Sequence, residues 1–169
     1  GHTDGKAFYH GLMACGSVWT CPVCAAKVSE RRRGELKSAI DAAKALDWVP
    51  HFVTLTVPHG VGDDVKELLG RLSDALKRLS QGKYSIKRSI EQNLPGETLH
   101  GYIRALEVTH GNENGFHPHF HLILFTSQGI SSPFLQDAYR AAWQRACRLA
   151  GLPIPSDTHG VTVQDGSEA

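Results

Sequence analysis

The sequence lacks the features that would place it in several specialised classes. No apolar run approaches the roughly 20 residues that a membrane-spanning helix needs, and no signal-peptide pattern opens the chain. The sequence also has no large excess of positive or negative charge, since 18 lysines and arginines against 17 acidic residues give a net charge of +1. This balance excludes a uniformly polycationic DNA-coating protein. Hydrophobic residues make up 41% of the 169 residues, enough for a buried core. We therefore expect one folded domain without a membrane span, with any basic surface confined to patches.

Cysteine is scarce, yet three of the four cysteines lie close together in the sequence. So few cysteines argue against a disulfide framework. The pair Cys21 and Cys24 forms a CxxC knuckle, and with Cys15 as a third thiolate the spacing favours a structural zinc site. A redox-active dithiol and cysteines that bind nothing are the open alternatives, and the fourth zinc ligand is not evident. Cys147 lies in an Ala-rich helical pattern and is predicted to be a buried thiol.

Hydrophobic periodicity predicts an α+β domain in which helices flank an antiparallel sheet. Helices are predicted over 25–46, 63–80 and 133–150, and strands over 51–57, 101–110 and 116–126, with another strand beginning at 161. The Gly/Asn-rich connection between the second and third strands predicts a hairpin. Residues 82–93 are predicted to be an irregular basic segment.

Two segments carry a local excess of positive charge. The basic residues in question are Arg31, Arg32 and Arg33 in the first predicted helix, and Lys83, Lys87 and Arg88 in the irregular segment. Such cations can bind nucleic-acid phosphates. A solvated helix face and an ordinary surface loop are the alternative interpretations.

The third predicted strand contains two histidines at alternating positions. Because side chains alternate between the faces of a strand, His119 and His121 share one face, while Phe120 and Leu122 lie on the other. If the hairpin pairs odd-numbered with odd-numbered residues, Glu107 joins the histidine face. Two imidazoles and a carboxylate leave coordination positions open, as a catalytic metal requires. The alternative is a pair of hydrogen-bonded core histidines.

The first predicted strand offers polar side chains to the same region. Thr54 and Thr56 alternate with apolar residues, which predicts a half-buried strand whose hydroxyl groups border the histidine site. The histidines at element ends, among them His51, His100 and His159, are expected to face solvent.

Three motifs in this order resemble the replication initiator (Rep) proteins of rolling-circle plasmids and related phages, within the HUH endonuclease superfamily. They are Cys15-Gly-Ser-Val-Trp-Thr-Cys21-Pro-Val-Cys24 with its basic helix, Phe52-Val-Thr-Leu-Thr56, and His117-Pro-His119-Phe-His121. The resemblance covers roughly residues 12–125. It implies a ferredoxin- or RRM-like HUH nuclease domain over residues 25–169, preceded by a zinc-knuckle-like segment over 1–24.

The resemblance also implies an enzyme that nicks and rejoins single-stranded origin DNA. In such enzymes a tyrosine attacks a phosphodiester, forms a 5′-phosphotyrosine and frees a 3′-OH for the polymerase. His119 and His121 match the family's metal ligands, and Glu107 matches its upstream acidic ligand. The implied cofactors are catalytic Mn²⁺ or Mg²⁺ and structural Zn²⁺. The implied partners are an origin hairpin, a host helicase and a polymerase, in a bacterial cytoplasm and without a membrane.

One departure from the family concerns the nucleophile. The family's tyrosine lies on a helix after the histidine strand, normally with a lysine nearby. Tyr139 is the one tyrosine after His121, and no lysine follows it. We therefore expect a domain cut short, with its nucleophile beyond Ala169 and Tyr139 as the fallback candidate.

Other functions fit parts of the sequence. The H-x-H-x-H pattern ending at His121 also fits a histidine-triad nucleotide hydrolase or transferase, although Glu107 and the cysteines then have no role. A non-enzymatic zinc-dependent DNA-binding module would use only the cysteines and basic residues, and a thiol oxidoreductase would use Cys21 and Cys24. Loss of activity on metal chelation separates the nickase from the triad hydrolase.

Overall fold

A computed structural model describes residues 22–57, 64–111 and 115–167. The chain divides into two units, Gly1–Ala39 and Ile40–Ala169. Within the first unit the structure describes the N-terminal part of one long helix. The sheet and the remaining helices belong to the second unit. The predicted division at residue 24 stays a prediction.

The predicted helices and strands are present at nearly the predicted positions. In chain order the described elements are α1 (Pro22–Ala45), β1 (Val49–Thr56), α2 (Val65–Ser80), α3 (Ile86–Asn93), β2 (Leu99–Gly111), β3 (Gly115–Thr126), α4 (Ser132–Leu149) and β4 (Val161–Asp165). Asp64 caps α2, because its side chain accepts hydrogen bonds from the backbone N–H groups of Lys66 and Glu67. The described helices are too short or too polar to cross a lipid bilayer.

Helix α3 is the element that sequence analysis missed. The prediction of an irregular segment was wrong for 86–93, where the chain is helical. Ser85 provides the N-cap, since its hydroxyl oxygen accepts a 3.3 Å hydrogen bond from the backbone N–H of Arg88. Ile86 and Ile90 stand one turn apart and are both buried, which anchors this short helix against the core.

The four described strands form one antiparallel sheet in the order β2-β3-β1-β4. Strands β2 and β3 form the predicted hairpin. Strand β1 then pairs with β3 on one side and with β4 on the other. The strand that carries the histidine pair is therefore internal, with a hydrogen-bonded neighbour on each side.

Helices α2, α3 and α4 bury one face of this sheet. Strand residues such as Leu55 and Leu122 share a core with Leu72 of α2, Ile90 of α3 and Trp143 of α4. Burying each large apolar side chain contributes about 1.5–3 kcal/mol. Because strand side chains alternate between faces, the positions between these core residues belong to the other face of the sheet.

Candidate functional site: the histidine face of the sheet

The strand register brings the predicted site residues into two neighbouring rows. Glu107 of β2 pairs with His119, and His119 pairs with Thr56 of β1. In the next row, His121 pairs with Thr54. Directly opposite positions in an antiparallel pair belong to the same face, so the predicted odd-to-odd pairing is confirmed. The side chain of Glu107 lies outside the described residues, and its role as a metal ligand stays a prediction.

Each histidine shares a hydrogen bond with a threonine hydroxyl of β1. Thr56 Oγ1 lies 3.2 Å from His119 Nδ1, and Thr54 Oγ1 lies 3.3 Å from His121 Nδ1. The prediction that these threonines border the histidine pair is confirmed. Metal-binding histidines typically use one ring nitrogen for such an orienting hydrogen bond and the other for the metal. A metal held by these two rings would therefore be bound through Nε2.

Accessibility differs between the two histidines. His119 is half-buried, whereas His121 is exposed. A ligand that approaches from solvent would therefore reach the ring of His121 first, and the less accessible ring of His119 second.

The donor chemistry at this face fits a divalent cation. Among the side chains that the structure describes, no group of three or more His, Cys, Asp or Glu could hold a metal. The described side chains supply two possible ligands, the imidazoles of His119 and His121. The strand register places Glu107 opposite His119, where its carboxylate would be a third ligand. Nitrogen ligands suit Mn²⁺ better than Mg²⁺, which prefers oxygen throughout. The set consequently fits Mn²⁺ better than Mg²⁺.

His51 does not face solvent, and that prediction was wrong. It is 2% exposed, with Nδ1 at 2.8 Å from Ser132 Oγ and Nε2 at 3.1 Å from Thr126 Oγ1. Burial lowers its pKa below the ordinary value, and the carboxylate of Asp165 opposes this shift. The alternation in β1 could have shown the burial, because position 51 falls on the same face as the core residue Leu55.

Tyr139 lies in the core on the other side of the sheet from the histidine pair. It is 2% exposed and packs in the same cluster as Leu122 and Phe120, whose positions alternate with the histidines. Burial raises the pKa of its hydroxyl well above the ordinary value, and Tyr102 raises it further. A buried phenol that ionises with difficulty is poorly placed to attack a phosphate held at His119 and His121. This placement favours a nucleophile other than Tyr139.

The basic residues predicted to contact DNA are exposed wherever their side chains are described. This holds for Arg31, Arg33, Lys83, Lys87 and Arg88, whereas the side chain of Arg32 lies outside the described residues. Arg31 lies 3.8 Å from Glu35, and Arg88 lies 3.6 Å from Glu91. Exposed pairs of this kind are weak, so they leave the guanidinium groups able to exchange a carboxylate for a phosphate.

Tyr84 adds an aromatic surface beside Lys83. The residue is 53% exposed, the Lys83 ammonium lies 5.0 Å from the centroid of its ring, and the Arg145 guanidinium lies 4.1 Å from that centroid. Arg145 was not among the predicted site residues, because it comes from α4 and lies far from Tyr84 in the sequence. A ring held by two cations favours contact with a polyanion that also carries aromatic bases.

The predicted zinc ligands lie outside the described side chains. Cys15 and Cys21 lie outside the described residues, and at Cys24 only the helical backbone of α1 is described. The zinc site stays a prediction. Cys147 is fully buried as predicted, and burial raises the pKa of its thiol to about 12, which keeps it protonated and unreactive.

Comparison with known proteins gives a consistent set of relatives. A protein called Protein rep from Streptomyces lividans is 27% identical, covering 93% of this chain and 43% of its own length. A neomycin resistance protein from Streptomyces cyanogenus is 30% identical over 71% of this chain and 32% of its own length. A Protein rep from Lentilactobacillus hilgardii is 27% identical over 89% and 46%. The chain thus spans between 32% and 46% of the length of these relatives.

No solved structure matches this chain. Residues 9–164 match the family model described as Replication protein (Rep_1). That range includes the histidine strand, both threonines and the basic segments. The chain belongs to the replication protein family Rep_1, which confirms the resemblance of its motifs to rolling-circle plasmid Rep proteins.

Proposed function

We propose that this chain is the nuclease part of a plasmid replication initiator, an HUH-type enzyme that nicks and rejoins single-stranded origin DNA to start rolling-circle replication. The observation that carries the proposal is the pair His119 and His121 on an internal strand, each oriented by a threonine hydroxyl, in a chain of the replication protein family. Family membership favours this function over a histidine-triad hydrolase and over a thiol oxidoreductase.

His119, His121 and Glu107 would hold the divalent cation, with Mn²⁺ preferred over Mg²⁺. When bound, the cation would draw negative charge from the non-bridging oxygens of the scissile phosphate. Thr54 and Thr56 hold the imidazole rings, and the paired strands on both sides of β3 limit movement of the whole row.

The nucleophile we propose is a tyrosine outside residues 1–169, in a longer protein. Its hydroxyl group loses its proton as the oxygen forms a bond to phosphorus, and the bond from phosphorus to the 3′ oxygen breaks. The 3′ oxygen takes up a proton to become the free 3′-OH, so that protons balance over the step. Tyr139 is a poor candidate for the nucleophile because it is buried on the other side of the sheet. Burial also raises the pKa of its hydroxyl above the ordinary phenol value of about 10. The length of the relatives is consistent with catalytic residues outside this range.

The remaining parts of the proposal concern binding. The exposed cations Arg31, Arg33, Lys83, Lys87 and Arg88 contact backbone phosphates of the single strand, and Arg32 joins them. Cys15, Cys21 and Cys24 hold a structural Zn²⁺. The freed 3′-OH passes to a host polymerase, with a host helicase opening the duplex in the bacterial cytoplasm.

A nicking assay tests the proposal. Supercoiled plasmid carrying the cognate origin is incubated with Mn²⁺ and either residues 1–169 or a longer chain of the same protein. We expect the longer chain to nick the plasmid, to become covalently linked to the 5′ end, and to stop doing so when a chelator is added. We expect residues 1–169 to bind single-stranded DNA without forming the covalent product.

Substitutions in the longer chain connect the activity to the site. We expect His119→Ala and His121→Ala to abolish nicking, and His159→Ala, which changes an exposed histidine that has no role in the proposed metal site, to leave it intact. Nicking that survives both chelation and the two site substitutions would refute the metal mechanism. A covalent product formed by residues 1–169 would place the nucleophile within this chain.

A further inference from the structure

A cleft opens on the helix-covered side of the sheet, at the edge formed by β2. Its volume is about 230 Å³, and it lies between α2, α3 and β2. Its walls are largely apolar, and the large aliphatic side chains among them are Leu76, Leu79, Ile86, Leu99 and Leu122. The cleft is separate from the histidine face, which lies on the other side of the same sheet.

Tyr139 places a buried hydroxyl group in this cleft. The residue is 2% exposed and lines the cavity, and the described part of the chain offers its hydroxyl no hydrogen-bond partner. A buried polar group without a partner is unfavourable. A ligand that placed a hydrogen-bonding atom in the cleft would relieve this cost.

The mouth of the cleft is aromatic and basic. Tyr102 is 45% exposed there, and Lys87 and Arg104 contribute exposed cations. His100, which also lines the cleft, stacks on Trp48 with ring centroids 4.3 Å apart. None of the described residues that line the cleft is acidic. The charge at the mouth therefore complements an anion.

We propose that this cleft binds one unpaired base of single-stranded DNA, with the flanking phosphates on Lys87 and Arg104. The apolar walls receive the ring, the Tyr139 hydroxyl bonds its edge, and Tyr102 offers a stacking surface at the mouth. The cavity is smaller than the roughly 300–1,000 Å³ of pockets for drug-sized ligands, so it suits one base and not a longer segment. The inference rests on the proposed function only in taking DNA as the ligand.

Binding of short oligonucleotides to residues 1–169 tests the inference. The probes are the octamers dT8, dA8 and dC8, and an abasic octamer with the same number of phosphates, at one fixed salt concentration. We expect at least one base-bearing octamer to bind about fivefold or more tightly than the abasic octamer, as one stacked base provides. Equal affinities, or binding of neither kind of octamer, would overturn the inference.

Substitutions test whether the cleft causes the tighter binding of base-bearing octamers. Ser80 lines the cleft, whereas Ser73 is exposed two turns earlier on α2 and does not line it. We expect Ser80→Trp, which fills the cleft from its rim, to abolish the difference between base-bearing and abasic octamers, and Ser73→Trp to retain it. Tyr139→Phe removes only the hydroxyl, and we expect it to flatten the preference among the three bases. Thermal unfolding of each variant verifies that it is folded.

The remaining outcomes separate this inference from the proposed function. If Ser80→Trp keeps the base preference, or changes only the oligomeric state in sedimentation, the cleft does not bind a base. If the longer chain nicks DNA in a His119-dependent manner while the base preference is absent, only the cleft assignment is wrong. If the base preference follows the cleft variants while nicking is absent, only the proposed enzyme activity is wrong.

Discussion

The indole N–H of Trp143 donates a 3.1 Å hydrogen bond to the backbone carbonyl oxygen of Thr56. Trp143 is completely buried in α4, and the hydroxyl of Thr56 lies 3.2 Å from His119 Nδ1 on the opposite side of the sheet. One residue of β1 thus contacts both the helical core and the histidine face. The position of the His119 ring is therefore connected to the packing of α4.

Removing the hydroxyl of Thr56 should weaken metal binding. Valine has nearly the shape of threonine but cannot bond to His119, and loss of such an orienting partner typically lowers metal affinity about 10–100-fold. We expect Thr56→Val to show this loss in a Mn²⁺ titration and Thr56→Ser to bind as tightly as the unaltered chain. Thr162→Val, an exposed change in β4, is the matched control. Equal affinities for Thr56→Val and the control would contradict the orienting role.

Trp143→Phe should destabilise the fold. The change leaves the Thr56 carbonyl without its donor and opens a cavity in the core, so we expect the free energy of unfolding to fall by about 2–4 kcal/mol. Urea unfolding followed by circular dichroism measures the loss. Trp48→Phe is the control, because Trp48 is only half-buried and its replacement should lower the free energy of unfolding by less. Similar losses at the two positions would show that the buried hydrogen bond contributes little.

Acidification should destabilise the protein through His51. Burial lowers the pKa of His51 in the folded state, so the unfolded chain binds more protons below about pH 6.5. Its contribution to stability is therefore complete above that pH and is lost as the pH falls towards the folded-state pKa. The pKa of Asp165, lowered chiefly by its hydrogen bonds with Ser167, places that group's own titration at more acidic pH.

Thermal unfolding between about pH 7.5 and pH 5.5 measures this effect. We expect the Tm of the unaltered chain to fall across this range, and the fall to be smaller in His51→Gln. His159→Gln changes an exposed histidine and should keep the full dependence. A slope unchanged by His51→Gln would mean that His51 does not titrate differently in the two states.

Neutralising Lys83 should reduce the salt dependence of single-stranded DNA binding. Each phosphate contact contributes about 0.7 to the slope of log K against log salt for a single strand. We expect Lys83→Gln to lower the slope by about that amount and Arg148→Gln, an exposed change at the end of α4, to leave it unchanged. Fluorescence anisotropy with dT8 at four salt concentrations gives the slopes. A larger decrease in the slope for Arg148→Gln than for Lys83→Gln would show that the DNA binds to another surface.

The histidine face could be predicted because it depends on local periodicity. Alternation in β1 and β3, together with a Gly/Asn-rich turn, determines which residues share a face, and it predicts that Thr54 and Thr56 border the histidine pair. The alternation carries no information on hydrogen-bond geometry. The bonds at Nδ1 depend on β1 lying beside β3, a pairing between strands far apart in the sequence.

The cleft and the hydrogen-bond partners of the buried His51 could not be predicted in the same way. Both depend on contacts between distant segments, such as Ser132 with His51 and Tyr139 with β2. Helix α3 was missed for a different reason: basic residues obscured its short apolar repeat of Ile86 and Ile90, and the capping role of Ser85 was overlooked.

The strand order has a consequence for synthesis of the protein. Strand β1 is translated before both of its sheet neighbours, and its second neighbour, β4, is the last described strand to be made. Until then β1 has an edge of unpaired backbone groups, which is a template for pairing with other chains. A nascent chain that stalls before β4 would therefore expose this edge to pairing with other chains.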